Sequence, residues 1–177
     1  MLKNIIIIGY MAAGKSAIAA LLAKKLNLKH LDLDNYIQEK TALSISEIFK
    51  TKGEVYFRKL ESAYLQEILA QKTPFILAVG GGTPTFGDNM NLMNQLALTI
   101  YLDVPQKVLV TRLHAEKQNR PLVADLKDET IAEFVAKHLF ERRVYYEESQ
   151  LKIKTESKTM PEIVALILKE IEAFKKT

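Results

Sequence analysis

The chain of 177 residues predicts a three-layer α/β/α domain built on a central parallel sheet of about five strands. Three observations carry that prediction. Short apolar runs alternate with longer amphipathic segments along the whole sequence, the pattern of strands buried on both faces and joined by crossover helices. Three of those runs lead directly into glycine or acidic residues, at 9–16, at 32–34 and at 80–82. In an open parallel sheet such residues fall at the carboxyl edge of the strands, where ligands collect. Finally, no internal repeat and no linker divides the sequence, so a single domain over 1–177 is expected.

The elements follow in order. Residues 3–8 form a buried strand around the unbroken run Ile5, Ile6, Ile7 and Ile8. A helix covers 15–26, with Ile18, Leu21, Leu22 and Leu26 marking one side. Residues 29–33 make a short second strand ending on Asp32 and Asp34; if the strand persists, both carboxylates point the same way. Ser44 and Glu47 have the spacing of a capping box and open a short helix. A longer helix spans about 54–70, and the strand 75–79 runs into three glycines. Helix 89–95, strand 98–102 and helix 105–114 come next. The stretch 116–127 is polar and without period, so it is expected as a loop. A helix over about 128–145, a short strand at 151–153 and a helix over 160–174 complete the order, connected by right-handed crossovers.

Composition excludes several kinds of chemistry. There is no cysteine, so disulfides, thiolate nucleophiles and thiolate metal sites are ruled out. His30, His114 and His138 are scattered and make no metal motif. The net charge of +4 is mild and its basic residues are interleaved with acids, which does not announce nucleic acid. The first apolar run is too short for a secretory signal, and no apolar stretch approaches the about 18 residues of a spanning helix. The expectation is a cytoplasmic protein with no membrane or nucleic-acid partner.

The residues from Gly9 to Ser16, GYMAAGKS, fit G-x-x-x-x-G-K-[ST] at every specified position, between a strand and a helix. A loop of small residues can wrap phosphate oxygens in successive backbone N–H groups, and the helix that follows adds unpaired donors. Lys15 offers a compact charge to the β- and γ-phosphates, and Ser16 a hydroxyl to Mg²⁺. The motif specifies a nucleoside triphosphate and is shared by switches, motors and small-molecule kinases.

Other residues narrow the choice. One of Asp32 and Asp34 suits Mg²⁺ through its water shell, and the other an acceptor hydroxyl; the alternative is a pair that caps the next helix. Arg58 and Glu61 share a helix face, as a surface ion pair or as a guanidinium braced toward a carboxylate ligand. Gly80, Gly81 and Gly82 make sense where backbone must approach a ligand closely, and Pro84 stiffens the exit. Arg120, before Pro121, lies in the aperiodic stretch and could close over a triphosphate. Arg142 and Arg143 sit late in a helix, where basic residues are favoured in any case.

Taken together, GYMAAGKS, DLD, GEVYFRKLE, GGG, RPL and RRVYY resemble the shikimate kinase family of phosphate-loop kinases, over nearly the whole chain. The resemblance implies a P-loop kinase fold with substrate-binding helices at about 34–60 and a mobile lid at about 114–127. It implies that ATP is held by Gly9, Met11, Ala12, Ala13, Gly14, Lys15, Ser16 and Ala17, with Arg120 on its phosphates. Mg²⁺ would be held by Ser16 and Asp32. Asp34, Lys15 and Arg120 would be catalytic, Asp34 as the base on the acceptor hydroxyl. Shikimate would be bound by Asp34, Arg58, Gly80, Gly81, Gly82 and Arg142; Arg142, not Arg143, has the family's spacing of four to the tyrosine at 146. The implied reaction moves the γ-phosphoryl group of ATP to the 3-hydroxyl of shikimate, in aromatic amino acid biosynthesis, in a monomeric enzyme. Two positions differ from the usual pattern: Ala12 stands where glycine is usual, and Val144 where proline is common. Alanine fits only if its position avoids a glycine-only conformation, and without the proline the late helix should run further.

Three rivals bear on this reading. A gluconate kinase shares the phosphate loop and sheet but not the two arginines with the glycine run. A GTPase switch needs N-K-x-D and D-x-x-G, and neither is present. A binding protein without turnover is disfavoured by the presence of Lys15, Ser16, Asp32 and Asp34.

Overall fold

A computed structural model describes residues 4–119 and 122–176. The chain begins with β1 (Asn4–Ile8), α1 (Lys15–Leu26), β2 (Lys29–Asp32), α2 (Leu33–Thr41), α3 (Ile45–Lys52) and α4 (Glu54–Leu69). It continues through β3 (Phe75–Ala78), α5 (Asn89–Leu96), β4 (Ala97–Asp103), α6 (Gln106–Glu116), α7 (Asp128–Tyr146), β5 (Leu151–Lys154) and α8 (Met160–Phe174). The five strands form one parallel sheet in the order β2-β3-β1-β4-β5.

Sheet order explains the composition of each strand. β1 lies at the centre, with Ile6 in register with Leu77 of β3 on one side and Thr99 of β4 on the other. Its isoleucines are buried because helices cover both faces. β2 and β5 are the edges and carry charged residues, as in KHLD and LKIK, which discourages pairing with another chain. From β1 the chain builds β2 and β3 on one side and then crosses over to β4 and β5 on the other, so the sheet's switch point lies beside β1. The loop after β1 and the glycines after β3 therefore emerge side by side.

Most element boundaries agree with the sequence reading to within a residue or two, and the differences have local causes. β2 stops at Asp32 because that carboxylate caps α2: its Oδ1 accepts from the backbone N–H groups of Asp34 (3.1 Å) and Asn35 (3.3 Å). Asp34 thus lies in the first turn of a helix and not on a strand with Asp32. α3 begins on the capping box foreseen at Ser44 and Glu47. α6 continues to Glu116 and passes into a 3₁₀ turn over Lys117–Asn119, so the first part of the expected lid is helical. α7 runs through Val144 to Tyr146, the extension that the missing proline allows. Among the described residues, no helix is long and apolar enough to cross a membrane.

Candidate active site

The phosphate loop turns about the carbonyl of Tyr10. That oxygen accepts from the backbone N–H of Ala13 (3.2 Å) and from Lys15 Nζ (2.8 Å), which holds the ammonium over the loop. Gly14 is the N-cap of α1 at φ 86°, without a side chain to cap the helix. The first turn of α1 carries no acid, so its N–H groups face the loop ready for an anion. Ala12 adopts φ 60°, in the left-handed region that is uncommon for alanine but open to it. Its carbonyl accepts from Arg112 Nη1 of α6 at 3.0 Å, so a residue a hundred positions away fixes the loop's least favourable turn. Gly9 leaves no room for a side chain, since a Cβ there would lie 3.1 Å from the Leu102 carbonyl oxygen.

Beside the loop, Ser16 Oγ donates to Asp32 Oδ2 at 2.5 Å, while the other oxygen of Asp32 caps α2. Asp32 therefore caps α2 with one oxygen and turns the other toward Ser16 beside the loop. Two hard oxygen donors converging next to the phosphate loop fit Mg²⁺, which takes one or two protein oxygens and completes its shell with phosphate and water. Among the described residues no three His, Asp or Glu side chains gather into a cage of their own. Met11, Ala12, Gly14, Lys15, Ser16, Ala17, Asp32, Asp34 and Arg112 all border this hollow; Gly9 lies beneath it, and Ala13 faces a neighbouring hollow that Arg112 also borders.

A second, smaller hollow opens on the far side of Asp34. Met11, Asp34, Gly80 and Gly81 border both. It is the smaller of the two hollows and more apolar in its lining. Ile45, Phe49, Phe57 and Leu122 give it an apolar wall, and Arg58, Glu61 and Arg142 give it charge.

The charged residues here are buried and ordered. Arg58 donates Nε and Nη2 to Glu54 Oε1 (3.3 and 3.2 Å) and Nη1 to Glu61 Oε2 (3.1 Å). Glu61 is fully buried and also accepts from Thr83 Oγ1 at 2.6 Å. Burial pushes its carboxyl above the ordinary range, opposed by the Arg58 guanidinium and the Thr83 hydroxyl. Arg142 is only 9% exposed and forms no ion pair among the described residues. A buried cation without a direct counter-charge is costly, and Arg142 lines the hollow, which gives that hollow a positive charge.

The three glycines serve this arrangement by leaving space. None has a positive φ. A Cβ on Gly80 would lie 2.7 Å from Glu61 Oε1, one on Gly81 3.0 Å from the Met11 backbone nitrogen, and one on Gly82 2.5 Å from Arg58 Cζ. The glycine run therefore lets the phosphate loop and the acceptor-side charges close on it.

Of the expected site residues, Arg120 lies outside the described residues. Arg143 is exposed and pairs with Glu147 at 3.2 Å, away from both hollows. Sequence reasoning missed Glu54, Thr83, Arg112 and Leu122. The i, i+4 spacing of Glu54 to Arg58 was available as a signal; the other three are brought in by tertiary packing alone.

A nucleotide-sized phosphate hollow joined through one carboxylate to a small cationic hollow defines a phosphate-loop kinase of small anionic molecules. The family model "Shikimate kinase" matches residues 11–172, and the chain belongs to that family. A shikimate kinase of Flavobacterium psychrophilum is 43% identical over 169 residues, covering 95% of this chain and 98% of its own. The structure of an Acinetobacter baumannii shikimate kinase in complex with shikimate is similar with a TM-score of 0.91 at 32% identity, covering 100% of this chain and 97% of that one. That of the Bacteroides thetaiotaomicron shikimate kinase is similar with a TM-score of 0.89 at 32% identity, covering 97% and 99%.

Proposed function

We propose that the chain is an ATP-dependent shikimate kinase that transfers the γ-phosphoryl group to the 3-hydroxyl of shikimate, yielding shikimate 3-phosphate and ADP. The observation that carries the acceptor assignment is Arg142, buried in the hollow that Arg58 also lines and without a direct counter-ion among the described residues. Two guanidinium groups on one small hollow supply both charge and angular registration for a carboxylate.

The residues then have distinct tasks. The loop N–H groups and Lys15 hold the β- and γ-phosphates, and Ser16 and Asp32 hold Mg²⁺. When bound, Mg²⁺ supplies charge neutralisation between those phosphates. Arg58 and Arg142 grip the carboxylate and so present the ring's hydroxyls to Asp34, which borders both hollows. Asp34 orients the 3-hydroxyl in line with the γ-phosphorus and takes its proton. Most of the acceleration comes from this placement and from charge stabilisation. The segment between α6 and α7, with Leu122 in the acceptor wall and Arg120 on it, is the lid that excludes water and brings a further cation to the phosphates. The hollow bordered by Pro105, Arg112 and Thr155 shares Arg112 with the phosphate side and is assigned to the nucleoside. One copy of the chain supplies both hollows, as a monomeric single-domain enzyme requires, and an ATP-consuming step of this kind is assigned to the cytoplasm.

A coupled ADP-release assay across shikimate, quinate, gluconate and nucleoside monophosphates tests the reading. Shikimate should be preferred by kcat/KM; equal or faster turnover of gluconate or a nucleotide would overturn the acceptor assignment.

A further inference from the structure

Tyr10 is the second residue of the phosphate loop, yet its side chain points away from the phosphate hollow. It is 1% exposed, and its hydroxyl finds no hydrogen-bond partner among the described residues. The hydroxyl therefore does not explain the residue; the ring must. The guanidinium carbon of Arg142 lies 5.7 Å from the centre of that ring, within the range at which a cation is drawn to an aromatic face. One helical turn on, Tyr146 donates its hydroxyl to the Gly81 carbonyl at 2.5 Å, and its ring packs on Tyr101 at 5.1 Å. The end of α7 is thus tied to the glycine run, and Arg142, whose guanidinium also interacts with the Tyr146 hydroxyl, lies over the Tyr10 ring with no direct ion pair among the described residues.

We propose that Tyr10 is a positioning residue for the acceptor: its ring is the surface against which Arg142 is held facing the carboxylate. The inference rests on the role of Arg142 given above. It assigns Tyr10 two separable tasks. Its backbone carbonyl organises the phosphate loop by accepting from Ala13 and Lys15, and its side chain serves the other substrate. A side-chain substitution should spare the first task and damage the second.

Steady-state kinetics with both substrates varied, on the full chain, decide the matter. Tyr10→Phe keeps the ring and should stay within about twofold of the parent in every constant. Tyr10→Leu removes the ring and should raise shikimate KM on the order of tenfold, with ATP KM and kcat within about twofold. Pentafluorophenylalanine at position 10 keeps the ring's shape but removes its negative face, so it should raise shikimate KM relative to Tyr10→Phe. That comparison stands even if the leucine variant folds poorly. In an Arg142→Met background, the change at position 10 should have no further effect on shikimate KM, because interacting residues fail to add. If Arg142→Met itself leaves shikimate KM unchanged, the carboxylate role of Arg142 is wrong. If it raises that KM while the fluorinated ring behaves as phenylalanine, or if the loss persists in the Arg142→Met background, the positioning role of Tyr10 is wrong and the acceptor reading stands.

Discussion

The two hollows are built in opposite ways. On the nucleotide side the ligand groups are backbone N–H donors and short, accessible side chains: Lys15 is half-buried and Ser16 exposed. Nearly all come from one continuous stretch of eight residues plus Asp32. On the acceptor side the charged groups are long, buried side chains drawn from α4 and α7, with the glycine run leaving them space. The lesson is that phosphate recognition needs a local conformation, which a short motif can specify. Recognition of a small carboxylate needs desolvated charge, which only a packed fold can hold in place.

The largest effect that follows from this contrast is at Lys15. Lys15→Ala should lower turnover by at least about 10²-fold, the scale of losing one group that stabilises transition-state charge. The melting temperature should change little, because the side chain is only half-buried and lies at the surface of the loop. Near-normal turnover in the variant would break the nucleotide half of the comparison.

On the acceptor side, Arg58→Lys and Arg142→Lys each retain charge but lose the planar donor pair. Charge-assisted hydrogen bonds contribute about 1.5–3 kcal/mol each, so kcat/KM for shikimate should fall on the order of 10- to 100-fold, mainly through KM, with ATP KM nearly unchanged. Arg58→Lys should also lower stability, since Glu61 would lose a buried partner. Arg143→Lys is the control and should change nothing, because Arg143 is exposed and engaged with Glu147. Damage at Arg143 with Arg142 silent would move the clamp by one residue and undo the burial argument.

Gly82→Ala sharpens the same point without touching a charged residue. Gly82 has φ −92°, which alanine adopts freely, so backbone strain is not at issue. The added Cβ meets the Arg58 guanidinium at 2.5 Å, and that group is held by Glu54 and Glu61 and must leave one of them. Shikimate KM should rise roughly tenfold, the scale of one displaced charged hydrogen bond, while ATP KM holds. An equal rise in both would show that the glycine run acts through the phosphate loop instead.

The same contrast governs what the sequence could reveal. The phosphate loop, the order of elements and the parallel sheet were legible because each depends on neighbours in the chain. Asp32 was legible as an acid beside the loop, but not that its two oxygens divide between Ser16 and the cap of α2. That cap ended β2 early and put Asp34 on a helix, a competition between strand and helix that alternation alone does not resolve. Arg142 carried no signal of its own, since a basic residue late in a helix is commonplace; family likeness singled it out, and the structure adds its burial with no direct counter-charge among the described residues. Arg112 and Thr83 act through tertiary hydrogen bonds to Ala12 and Glu61, and no local pattern marks them.

The smallest effect concerns Ala12, where the family usually has glycine. The left-handed conformation at φ 60° costs an L-residue roughly 1–2 kcal/mol, and Ala12→Gly removes that cost. Two terms oppose the gain. Glycine gives the unfolded chain more freedom, worth about 0.5–1 kcal/mol. The methyl group of Ala12 is itself buried, at 8% exposure, and losing it forfeits about 0.8 kcal/mol. The three terms nearly cancel, so stability should change by no more than about 0.5 kcal/mol, or about 1–2 °C in melting temperature for a chain of this size. Turnover should also be unchanged, because the bond from Arg112 goes to the backbone carbonyl, which glycine keeps. A thermal scan with ATP kinetics checks both. A rise well above 2 °C would mean that the loop stores strain that the nucleotide site uses. A comparable fall would mean that the buried methyl, and not the Arg112 tether, holds the turn, and the nucleotide side would then depend on packing as the acceptor side does.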